Sequence, residues 1–203
     1  MKNIKKFVGF LRQAGKMKTA LRFSETAGMP KDSAAEHSWR AAFMSFLIIN
    51  EFGLRLNKER VLKMALVHDI VESIVGNIDY VLIAQKKVSE KSKQEREQRA
   101  IKRIQKALPL KSGAEVFKLW TEYNKATTKE AKFVKAINKL ETLAFLSEVG
   151  YKYFDKPELI VGYADESVKN FPALGELLLQ IKLNLKAGFK KGGILWKKEY
   201  EAI

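Results

Sequence analysis

Cysteine is absent from the chain, which excludes disulfides, thiolate zinc sites and a cysteine nucleophile. Any bound metal must therefore be held by nitrogen and oxygen donors. Histidine is nearly as rare, with two residues, His37 and His68, so a histidine-rich site is excluded as well. Proline occurs four times in 203 residues, and Pro109, Pro157 and Pro172 fall at or near the edges of periodic segments, leaving those segments free to be helical. No apolar run reaches the roughly 18 residues that a spanning helix requires. The opening stretch "MKNIKKFVGFLRQAGKMK" is interrupted by Lys and Arg at amphipathic-helix spacing, unlike a signal peptide. These features predict a soluble, cytoplasmic protein with no membrane partner.

Acidic residues are also in short supply. There are 23 Asp and Glu against 38 Lys and Arg, a formal charge of +15. Such an imbalance favours anionic partners: phosphorylated metabolites, nucleic acid or acidic surfaces. Nucleic acid ranks last among these, because no clustered basic groove or recognised binding motif is present. The densest basic stretch, "IKLNLKAGFKKGGILWKKEYEAI", reads as a solvated tail.

With 46% hydrophobic residues the chain can bury a core, and no composition break or repeat divides residues 1–203 into more than one domain. Apolar residues recur at helical spacing without an alternating strand pattern, predicting an all-α fold. Ser/Thr-x-x-Glu capping boxes mark helix starts at Ser33, Ser92, Ser112 and Thr127. Asn57 is positioned to cap a helix carrying "KERVLKMALVHDIVESIV" that Gly76 ends. Residues 17–32 and 76–91 form connections long enough to be functional.

The chemistry gathers around "LVHDIVESIVGN". His68 and Glu72, four residues apart, share a helix face, and Asp69 lies about 100° round from His68. His37 falls in the first turn after Ser33, where it could face the same crevice. Either histidine alone reads more readily as a satisfied polar residue, and only the pair together brings the two readings level. His68, however, follows the apolar run "VLKMALV", where a half-buried imidazole beside a carboxylate needs a reason.

In order along the chain, "AAEHSWRAAF", "ALVHDIVESIVGNI" and "LWTEYNKATTKEAKFVKAINKLE" resemble the successive signatures of the HD-domain metal-dependent phosphohydrolases. The similarity is greatest to the small 5′-deoxynucleotidase branch and runs from about residue 5 to residue 150. It implies a single HD-domain helical bundle, its motif-bearing core followed by C-terminal helices and a basic tail over about 151–203, and assembly as a homodimer. It also implies one divalent metal, with Mn, Co, Fe, Ni and Zn all compatible with the donors. The ligands implied are His37, His68, Asp69 and Asn138, and the catalytic residues are Glu72 with Asn77. Arg22 matches an Arg that faces the nucleotide in bacterial members, with an exposed loop cation as the alternative, and Phe23 matches the aromatic after it, which reads as ordinary packing rather than base contact.

Two positions depart from the family pattern. Asn138 stands where the family has a ligand aspartate, and an amide carbonyl is a weaker donor to hard or borderline cations. Asn77 stands where an aspartate cooperates with the glutamate matching Glu72; Asp79, two residues on, is the nearest substitute. The implied activity is hydrolysis of nucleoside 5′-monophosphates to nucleoside and phosphate. The alternative is a degenerate HD module that binds a nucleotide or another anion without turnover. "FKLWTEY", with Val116, Trp120 and Tyr123, reads as core or dimer contact, and Lys135 and Lys139 beside Asn138 as solvated cations.

Overall fold

The computed structural model describes residues 2–154 and 156–201. Its regular elements are helices: α1 (Lys2–Ala14), α2 (Ala34–Glu51), α3 (Lys58–Val67), α4 (Glu72–Val75), α5 (Tyr80–Ala84), α6 (Glu90–Ala107), α7 (Leu110–Lys125), α8 (Lys129–Val149), α9 (Pro157–Val161), α10 (Asp165–Lys169) and α11 (Gly175–Lys191). Among the described residues the β-type pairing is one isolated bridge, Leu21 to Ser33. The all-α expectation holds.

The bundle is organised around α8. Phe133, Val134, Ala136, Ile137, Leu140 and Leu143 are buried on several sides of it, the pattern of a helix enclosed by others. α2, α3, α7 and α11 all pack against it. A second cluster, with Val71, Ile101, Ile104 and Trp120, joins α4, α6 and α7. Here α6 and α7 approach so closely that a Cβ on Gly113 would lie 2.3 Å from the Gln105 carbonyl oxygen.

The predicted helix starts fare unequally. Ser33 forms the full capping box with Glu36, and the Asn57 side chain accepts from the Arg60 amide. Ser92 is not a cap: Ser89 accepts from the Ser92 amide, so α6 begins a turn earlier than expected. Ser112 lies inside α7, which starts after Pro109, whose fixed φ suits a helix entrance. The Thr127 cap moves to Thr128, whose hydroxyl accepts from the Ala131 amide and donates to Glu122 at 2.7 Å. Each shift selects the neighbour with the better tertiary partner or backbone fit.

The largest correction concerns the helix expected from Lys58 through Val75. It breaks after Val67 into a tight turn whose amides bond three residues back, Ile70 to Val67 and Glu72 to Asp69, before α4 begins. The His68 imidazole explains the break. Its Nδ1–H donates to the Ala65 carbonyl at 2.7 Å, taking the acceptor that a continuing helix would offer to the Asp69 amide.

The stretch read as a solvated basic tail is also corrected. Ile181, Leu185 and Phe189 are buried along α11, and Trp196 and Tyr200 pack edge-on against Phe189. Most of its lysines occupy the outer face, while Lys182 is buried against Asp165 at 2.9 Å. Apolar spacing beneath a basic surface had hidden a packed helix.

Candidate metal centre and pocket

The turn after α3 delivers His68 and Asp69 to the first turn of α2, where His37 is buried. His68 Nε2 lies 3.3 Å from His37 Nε2 and 3.1 Å from Asp69 Oδ2, and His37 Nε2 lies 3.5 Å from that same oxygen. Two ligands each about 2.1 Å from one ion, at angles between octahedral and tetrahedral, are about 3.0–3.4 Å apart. The triangle therefore has the size of one face of a coordination shell.

Protonation strengthens that reading. The Glu141 carboxylate accepts from His37 Nδ1, and the Ala65 carbonyl accepts from His68 Nδ1. With both protons on Nδ1, the two Nε2 lone pairs face each other and a carboxylate oxygen. Three electron-rich atoms converging at these distances call for a cation between them. Burial, reinforced by the nearby Arg22 charge, pushes His37 toward the neutral form that binds metals. His68 is shifted the other way: burial opposes its charging, but Asp69 outweighs burial and raises its affinity for a proton. The same pairing holds the Asp69 carboxyl well below the usual range against its own burial, so a bound cation would take the place of that proton between them. His37, His68 and Asp69 could hold a divalent ion, and their donor atoms all lie within 4.8 Å of one another.

Arg22 is not the exposed loop cation of the alternative reading: it is buried at the pocket wall, donating to Asp32 at 2.6 Å, Thr142 at 2.6 Å and Glu141 at 3.3 Å. Glu141 Oε2 thus serves both Arg22 and His37, so the arginine orients the carboxylate that orients the imidazole. Sequence reading missed Glu141; its place one helical turn after Asn138 was the available signal.

Phe23 is held at φ +54°, an uncommon conformation for a bulky residue, by stacking on Phe145 and an edge contact with Tyr80. Both Arg22 and Phe23 line a pocket of about 420 Å³ that also contains the three candidate ligands, Glu72, Asn77 and Asn138. That volume lies within the usual range of roughly 300–1,000 Å³ for small-molecule sites.

The two amide positions are both engaged. Asn77 Nδ2 donates to Glu72 Oε1 at 2.8 Å, while the buried Glu72 Oε2 has no hydrogen-bond partner among the described residues. Burial, with Asp69 adding to it, pushes the Glu72 carboxyl well above its usual range. Asn138 Nδ2 donates to the Tyr123 hydroxyl at 2.6 Å, and the Asn138 carbonyl group of the backbone accepts from Thr142. Asp79 is occupied elsewhere: its two oxygens accept from the Val81 and Glu25 amides, capping α5 and pinning the loop before α2.

Other pocket residues were misjudged or unseen. Tyr123 sits beside His68, ring centroids 5.2 Å apart, and is a pocket wall as well as a core residue. Lys135 and Lys139 line the pocket too, their ammonium groups 4.7 Å over the Tyr123 ring and 3.6 Å over the Tyr163 ring. Lys93, brought inward by the early start of α6, makes a third cation there. Burial, with Lys139 and Lys93 adding to it, depresses the Lys135 pKa.

Comparison with known proteins agrees with this arrangement. A family model described as HD domain matches residues 14–161. The chain belongs to the HD-domain family. Among curated relatives of this HD-domain protein is the human 5′-deoxynucleotidase HDDC2, 32% identical over 179 residues, covering 85% of this chain and 83% of the human protein. The Schizosaccharomyces pombe 5′-deoxynucleotidase hdd1 is 37% identical over 132 residues, 63% of each chain. A crystal structure from Magnetospirillum magnetotacticum, described as a predicted metal-dependent phosphohydrolase, superposes with a TM-score of 0.75 at 25% identity, covering 97% of this chain and all of that one. No helix among the described residues is long and apolar enough to cross a membrane.

Proposed function

We propose that this HD-domain protein is a metal-dependent phosphohydrolase acting on nucleoside 5′-monophosphates, releasing nucleoside and inorganic phosphate. The observation that carries the reading is the convergence of the His37, His68 and Asp69 donor atoms beside the unpartnered Glu72 Oε2 in one pocket. The names of its relatives favour the deoxynucleoside series. A divalent ion held by these three residues, with the Asn138 carbonyl as a weak fourth donor, supplies Lewis acidity toward a phosphate oxygen and acidifies water.

The chain's own residues account for the rest. Glu72 accepts the proton of the attacking water at Oε2, the oxygen that no hydrogen-bond donor among the described residues occupies. Asn77 holds the other oxygen and so fixes the direction in which the free one points. As the new bond to phosphorus forms, the bond to O5′ breaks and the electron pair leaves with that oxygen, which takes up a proton. Lys93, Lys135 and Lys139 draw the phosphate into the pocket, and Arg22 and Phe23 form the wall against which the nucleoside rests.

The same side chains favour a second reading, a binding module without turnover, because Asn77 and Asn138 cannot act as acids or bases. The deciding experiment purifies the protein without chelator, measures metal per chain, and assays phosphate release from deoxynucleoside monophosphates with added Mn²⁺ or Co²⁺. About one metal per chain with turnover supports the enzyme. Metal without turnover favours the binding module, and neither metal nor turnover would sink the site assignment.

A homodimer belongs to the proposal as well. Trp39, Phe43, Phe46 and Leu47 form an exposed stripe on α2, with Trp39 and Phe43 stacked at 5.6 Å. Large apolar groups in a row with few flanking charges suit burial against a second copy. Sedimentation of the Trp39→Ser variant as a monomer beside a dimeric parent checks this.

A further inference from the structure

A second exposed apolar stripe lies on α1, and its surroundings differ from those on α2. Ile4, Phe7, Val8 and Leu11 follow one another at helical spacing and are 51–66% exposed. The opposite side of the helix holds it to the bundle: Phe10 packs on the cluster shared by α4, α6 and α7, and Gln13 donates to the Ser73 carbonyl. The outward face is thus a property of the folded chain, with no partner from it among the described residues.

The charge around the stripe is of one sign. Residues 1–20 contain six Lys and Arg and no Asp or Glu. Lys5 and Arg12, seven residues apart and both exposed, flank the stripe on α1, whereas Lys6 lies on the bundle side of the helix, where it and Arg103 of α6 line a cleft of about 340 Å³. A symmetric contact between two such faces would bring Lys5 and Arg12 of both copies together, whereas an anionic surface satisfies both the cations and the apolar side chains. We propose that α1 lies in the interface of an anionic lipid bilayer, its Ile4–Leu11 stripe among the acyl chains and Lys5 and Arg12 at the headgroups. The expectation of no membrane partner rested on the lack of a spanning segment; a helix lying in the interface needs length along the surface, not across it. The proposal is independent of the pocket and its chemistry.

The test is cosedimentation of the full chain with phosphatidylcholine vesicles containing phosphatidylglycerol, and with phosphatidylcholine vesicles alone. Binding to the anionic vesicles, weak or no binding to the neutral ones, and release by salt are expected. The Phe7→Ser/Leu11→Ser variant should lose at least about tenfold in partitioning while keeping its helical circular dichroism. If that variant misfolds, Lys5→Glu/Arg12→Glu, confined to exposed side chains, decides the matter with a loss of roughly fivefold per charge. Equal binding to both lipids, or to neither, overturns the proposal. So does a dimer in vesicle-free solution that Phe7→Ser/Leu11→Ser dissociates, since the stripe then belongs to a second copy.

Discussion

The two corners of the pocket have been treated differently. At one, His37, His68 and Asp69 keep the donors of a metal site, and each imidazole is fixed through its far nitrogen by a buried carboxylate or a backbone carbonyl. At the other, amides stand at 77 and 138, and both donate hydrogen bonds, to Glu72 and to Tyr123. An amide keeps the shape of a carboxylate but donates through its nitrogen where an ionised carboxylate only accepts, and it lacks the carboxylate's charge and its ability to carry a proton. The difference separates two demands on such a site: geometry, which amides can meet, and charge, which they cannot.

The comparison breaks most completely if the metal corner is removed. His68→Ala should reduce metal per chain to near zero and phosphate release by about 10³-fold or more, measured by metal analysis and single-turnover assay. Glu72→Gln should leave metal content unchanged while lowering kcat by about 10²–10⁴-fold. Loss of metal in that variant would show that the corners are not separable. In the other direction, Asn77→Asp should raise kcat about tenfold or more by returning a second acid beside Glu72.

Smaller effects sharpen the contrast. Asn138→Asp should tighten metal binding about tenfold in a competition titration, and Glu141→Gln should weaken it by about 10–100-fold through the orientation of His37. A control away from both corners is Glu122, paired with Arg60 across α3 and α7. The hydrogen bond from Arg60 lowers the Glu122 pKa, so its contribution is present above the usual carboxylate range and fades as pH falls through the folded value. Glu122→Gln should cost about 1–2 kcal/mol at neutral pH, with the two unfolding curves converging on acidification and metal content unaffected.

How much of this was legible beforehand varies with the kind of interaction. Helix class followed from apolar spacing, and the Ser33 cap from a local hydrogen-bonding pattern complete within four residues. His37, His68, Asp69 and Glu72 were visible because two histidines in 203 residues draw attention wherever they sit. The helix break at His68 was not visible, because it depends on a side chain outcompeting an amide for one carbonyl. Glu141, Lys93 and Tyr123 were unread or misread for a related cause: their roles come from contacts between helices distant in sequence.

The sequence by itself thus determined the helical class, the nitrogen and oxygen character of any metal site, the excess of positive charge, and the amides at 77 and 138. Each of these depends on composition or on near neighbours. Tertiary structure decided which cations enter the pocket, which oxygen of Glu72 is free, how Arg22 reaches His37 through Glu141, and which apolar faces of α1 and α2 stay exposed. Those outcomes depend on how separate helices pack, and packing joins residues whose distance along the chain carries no local signal.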